Sequence, residues 1–100
     1  MSNHYAVVVR RGPAFDQSKP SKEQDGFEPH SQHWRELEAS GFVAMAGLMQ
    51  TSMEVLFIIR AESEQDVRDR IGGDVWQDTG HAEIVRLEPI DIRFGAPPPA

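Results

Sequence analysis

Apolar and polar positions divide the chain into four extended runs and two helical ones. Tyr5–Val9 (YAVVV) is apolar at every position and rich in β-branched residues, which predicts a strand apolar on both faces. Phe42–Leu48 (FVAMAGL) predicts a second strand, with Gly47 as a bulge position, and Glu54–Arg60 (EVLFIIR) a third. Residues 82–94 (AEIVRLEPIDIRF) predict the last, in which Pro89 requires an edge or a bulge because proline cannot donate to a ladder. Trp34 and Leu37, at i, i+3, mark the buried face of a helix capped by His30 or Ser31 and running to about Ser40. Pro29 falls just outside its start and Gly41 just past its end. Val67 and Ile71, at i, i+4, predict a second helix, with Ser63 as N-cap, Asp66 three residues on and Gly72-Gly73 as its end.

The connections are polar. Residues 12–29 carry Pro13, Pro20, Gly26 and Pro29 and predict a loop, long enough to serve as a lid. Met49–Met53 is a turn, and Asp74–Gly80 a loop with at most one short helical turn. Residues 1–95 form a single domain and 96–100 (APPPA) a flexible tail.

The order β-α-β-β-α-β is that of an α+β, ferredoxin-like antiparallel sheet with two helices on one face. A sheet with one face in water alternates apolar with polar residues. Here Val55, Phe57 and Ile59 face one side while Leu56 and Ile58 face the other, and Val7 and Val9 oppose Ala6 and Val8. Two short helices cover one face only. The second face therefore calls for another copy of the sheet, and the expectation is a two-fold homodimer.

Charge and composition narrow the partners. A net charge of −6 argues against nucleic acid and against an anionic membrane surface. The absence of cysteine excludes disulfides, thiolate catalysis and cysteine-based metal sites. No apolar run is long enough for a membrane span or a secretory signal, so a cytoplasmic protein is expected.

In the predicted topology one end of the sheet gathers the end of strand one, the start of helix one, the hairpin between strands two and three, and the start of strand four. Arg10, His30, Met49 to Met53, Asp74 and His81 fall there. A histidine and a carboxylate are a minimal set for acid–base chemistry near neutral pH. His30 equally reads as a surface histidine at a helix start, and Asp74 as a turn residue after two glycines. Arg10 and Arg11 suit a substrate anion or a solvated strand end. Trp76 suits a pocket wall, the core or a dimer seam, and Met45, Met49 and Met53 suit packing around an apolar cavity. His30 and His33 form an HxxH pair, too few ligands for a zinc site unless His81 or Asp78 joins them, and no metal or other cofactor is expected. No phosphate loop, nucleotide fingerprint or nucleophile elbow is present.

His30 with Leu37 and Gly41 in HSQHWRELEASG, Ala46-Gly47, and Asp74 with Gly80 in DVWQDTG make a pattern that resembles the YciI-like (YCII-related) family of small dimeric α+β barrels. Where relatives typically carry proline after the aspartate and after the strand-two glycine, this chain has Val75 and Leu48. The resemblance implies a His30–Asp74 active site. A few relatives catalyse elimination or dehalogenation of small cyclic compounds. The expectation is then a cofactor-independent enzyme that performs an isomerase, lyase or dehydrochlorinase-like step. Arg10, Met49, Trp76 and His81 would form its substrate-binding wall, and the alternative is a non-catalytic dimeric module that binds a small ligand or a partner.

Overall fold

Four strands, β1 (His4–Arg11), β2 (Val43–Met49), β3 (Glu54–Arg60) and β4 (Ala82–Pro89), make one antiparallel sheet in the order β2-β3-β1-β4. Among the described residues three α-helices accompany it: α1 (Phe27–Ala39), α2 (Glu64–Ile71) and α3 (Val75–Thr79). The computed structural model describes residues 3–95, so the expected flexible tail at 96–100 lies outside the described residues.

The register fixes which side chains share a face. Val7 pairs with Phe57 and Tyr5 with Ile59, and these lie on the side that meets the helices. Val7, Phe57 and Ile59 form one buried cluster with Leu37 of α1, Val67 and Ile71 of α2, and Trp76 of α3. Each fully buried aliphatic side chain there contributes about 1.5–3 kcal/mol. On the opposite face, Ala6 pairs with Ile58, Val8 with Leu56 and Gly47 with Leu56 from the other side. Leu56 and Met45 on that face are exposed, so the two-faced apolar pattern of the strands is real.

Several boundaries depart from the sequence reading. Helix α1 starts at Phe27, and neither His30 nor Ser31 caps it. Its N-cap is Gly26, held at φ 76°, a conformation that glycine adopts without steric cost. Pro29 then lies inside the first turn, where its missing N–H removes no helical bond, while His30 N–H donates to Gly26 O at 3.1 Å. The short turn allowed in the segment 74–80 is a five-residue helix that fills most of it. Asp74 is its N-cap and Gly80, in the left-handed region, its C-cap. Strand β4 stops at Pro89 on the sheet edge instead of reaching Phe94, and Ile90 N–H then donates to His4 O. The irregularity in β2 lies between Val43 and Met45, not at Gly47. Ser63 caps α2 as expected, accepting from Asp66 N–H at 3.0 Å.

The segment before α1 is tied down. It contains a short 3₁₀ helix, Ser21–Glu23, and buries Phe15. The buried Gln24 amide accepts from Asp16 N–H at 2.9 Å and donates to Asp16 O and Lys19 O at 2.8 and 3.1 Å. One side chain thus supplies the bonds that a partner strand would otherwise give.

The backbone at Gly12 passes close to Gly80. Gly12 N–H donates to His81 O at 2.9 Å and Ala14 N–H to Gly80 O at 3.0 Å. A Cβ at position 12 would lie 2.1 Å from Gly80 O. Gly12→Ala should therefore destabilise the protein by about 2 kcal/mol or more in urea unfolding. Equal midpoints for the two proteins would contradict this packing.

Candidate acid–base site

Three donors converge on the carboxylate of Asp74. Its Oδ1 accepts from Trp76 N–H at 3.0 Å, which is the N-cap bond of α3. Its Oδ2 accepts from the indole Nε1–H of Trp34 at 2.9 Å and pairs with Nδ1 of His30 at 2.7 Å. His30 and Trp34 are one helical turn apart on α1, so a single face of that helix delivers both donors. Asp74 is 1% exposed. Burial alone would push its carboxyl up. The bonds from His30, the Trp76 amide and Trp34 outweigh burial and hold it below its ordinary value of 3.8. An ionised carboxylate only accepts, so Nδ1 of His30 carries the shared proton. His30 Nε2 is left without a protein hydrogen bond among the described residues.

The imidazole is held on its flat side as well. It stacks on Trp76 with ring centroids 3.7 Å apart and planes 11° apart. The Trp76 indole is anchored by its Nε1–H, which donates to Asp25 O at 2.8 Å, and Phe15 meets it edge-on at 6.1 Å. His30 is thereby fixed in tautomer, position and plane.

The ring opens on a cavity of about 560 Å³, within the range of small-molecule sites. The cavity lies between α1 and the helix-facing side of the sheet. Val43, Leu48, Met53, Val55 and Phe57 give it an apolar floor, with Trp34 stacked on Phe57 at 4.4 Å. Leu48, at the position where relatives of the resembled family carry proline, is half exposed on its wall.

Of the residues singled out in the sequence, Arg10, His30, Asp74, Trp76 and His81 all border this cavity. Met49 does not. It ends β2, and its carbonyl receives Met53 N–H in the turn, so Met53 and Leu48 occupy the wall expected of it. Arg10 is engaged by Glu83, its cross-strand neighbour, with Nε and Nη2 at 3.2 and 3.0 Å from one carboxylate oxygen. His81 stacks on Trp76 at 5.5 Å and pairs its Nδ1 with Thr79 Oγ1 at 2.7 Å. His33 meets Arg70 O through Nε2 at 2.7 Å, so it serves the end of α2. Among the described residues no group of three or more His, Asp and Glu side chains is placed to hold a metal ion. No described helix is long and apolar enough to cross a membrane.

Sequence reasoning passed over Phe15, Arg35 and Gln77 as cavity residues and Trp34 as a ligand of Asp74. Two of the missing signals are in the chain. Trp34 is four residues after His30, and Asp74 with Gln77 at the third helical position has the form of a capping box. No family model, no curated protein and no solved structure matches the chain.

The carboxylate sets an acid-stability relation. Because the folded-state value of Asp74 lies below 3.8, its contribution is fully present above that pH and is lost as pH falls through the lower folded value. Asp74→Asn should cost about 2–3 kcal/mol at pH 7, and the gap to wild type should narrow below about pH 3.8. Asp16, also held low by its bonds from Ser18, is present in both proteins and cancels in the difference. A gap independent of pH down to acid unfolding would show that Asp74 gains nothing from ionisation.

Proposed function

We propose that this chain is a cofactor-independent enzyme in which His30 is the general base and acid and Asp74 is its orienting partner. The observation that carries the proposal is the 2.7 Å bond from His30 Nδ1 to a buried, ionised Asp74, in a histidine that borders the cavity and whose Nε2 has no protein partner among the described residues. In this arrangement the Nε2 lone pair takes a proton from a substrate carbon made acidic by a neighbouring carbonyl or leaving group. The negative Asp74 offsets the imidazolium that forms. Return of the proton to another atom gives an isomerisation. When the C–H electron pair instead forms a C=C bond and a leaving group departs with the electrons of its own bond to carbon, the result is an elimination, the lyase or dehydrochlorinase-like outcome. A binding module without catalysis is the second reading. The same three bonds to Asp74 favour it to the extent that they join α1 to α3 and would be worth keeping for stability alone.

Membership in the YciI-like family and a ferredoxin-like, dimeric barrel architecture belong to the same proposal. The strand order β2-β3-β1-β4, the packing of every helix against one face, and the His30–Asp74 contact support it. The dimer is supported by the outer face, where Met45 and Leu56 are 54% and 38% exposed beside Ala6, Val8 and Ile58. A two-fold copy laid on that face would cover its own equivalent.

His30→Ala should lower turnover of a responsive substrate about 10²–10⁴-fold while leaving the fold intact by circular dichroism. Unchanged turnover would refute the acid–base role and favour the binding module. Leu56→Glu should convert a sedimenting dimer to a monomer. A wild-type chain that already sediments as a monomer would refute the two-fold sheet.

A further inference from the structure

The cavity wall carries one guanidinium that no carboxylate or hydrogen-bond acceptor engages among the described residues. Arg10 and Arg11 are adjacent, yet the strand sends them to opposite faces. Arg10 is neutralised by Glu83. Arg11 pairs across the ladder with the buried Ala82, on the side that meets the helices, and borders the cavity. Its guanidinium lies 4.5 Å from the ring centre of Phe15, and it makes no ion pair and no hydrogen bond among the described residues. Phe15 touches Trp76, and Trp76 carries His30, so Arg11 and the imidazole belong to one continuous aromatic wall.

The charges around the cavity are lopsided. Arg35 of α1 also borders it and bonds only the neutral Gln32 among the described residues. Glu38 is the one acid there besides Asp74, and it is exposed at the end of α1. Asp74 is already committed to His30 and Trp34. Gln77 also borders the cavity and supplies no charge to it. A chain of net charge −6 has acids to spare, but among the described residues none pairs with Arg11. A planar guanidinium with five donors is suited to grip a carboxylate with two parallel bonds.

We propose that the cavity takes a small carboxylate with a planar or cyclic apolar body, and that Arg11 anchors the carboxylate. The body lies over Trp34, Phe57 and Val55, with its reacting carbon toward His30 Nε2. The inference rests on the acid–base reading for the reacting end and on Arg11 alone for the anionic end.

The test uses benzoate and its neutral counterpart benzamide, read by quenching of Trp34 and Trp76, the only tryptophans in the chain and both at the cavity. Benzoate should bind about tenfold or more tighter than benzamide. Arg11→Gln should erase that preference, Arg11→Lys should keep part of it, and Arg93→Gln, on the exposed segment after β4, should keep all of it. His30→Ala should retain the preference, which separates failure of the acid–base role from failure of the anion site. Equal binding of the two probes, an undiminished preference in a folded Arg11→Gln protein, or no saturable binding of either probe would overturn the proposal.

Discussion

The carboxylate of Asp74 is the constraint on which the site depends. A buried anion is costly unless its lone pairs are met, and here each of its oxygens is met. One oxygen starts α3 and the other accepts from two side chains of α1. The position of α3 then places Trp76, and Trp76 supplies the surface on which His30 lies. Removing the charge would therefore disturb a helix cap, an indole contact and the imidazole's tautomer together. That makes the group structural and chemical at once, and explains why its stability role and its orienting role are hard to separate by one substitution.

The sheet divides the labour differently. Its helix-facing side holds the core at one end and, where α1 leaves β2 and β3 uncovered, a cavity at the other. Its outer side is apolar without helices to cover it. Charged residues on that side, such as the Arg86–Glu88 pair at 2.6 Å, sit on β4 and at strand ends such as Arg10 and Glu54, while the middle of the β2-β3-β1 portion stays apolar. The apolar area is thus confined to three adjacent strands, a patch of the kind that marks interaction surfaces.

Much of this was legible in the chain because strand signals here are strong. The runs at β1 and β3 left little choice of element, and their double-sided apolarity was visible by simple alternation. His30 and Asp74 were brought to one end by connectivity alone. The errors fell where tertiary contacts overrode local signals. Pro29 reads as a stop, yet it is harmless in a first turn, and only Gly26 in the left-handed region reveals the earlier start. Helix α3, at five residues, is too short to show a period and exists because Asp74 caps it. Arg10 and Arg11 could not be told apart until the register with Glu83 and Ala82 assigned them to faces.

The contacts that make the site also decide when it can exist. His30 and Asp74 are 44 residues apart along the chain, and Trp34 and Asp74 are 40 apart. Closing loops of that length costs entropy that only completed tertiary contacts repay. No fragment containing α1 alone, and no nascent chain that has not yet supplied residue 74, can present an oriented imidazole. The pair is in effect a mark of completed assembly, since the imidazole is oriented only in molecules whose two halves have already met.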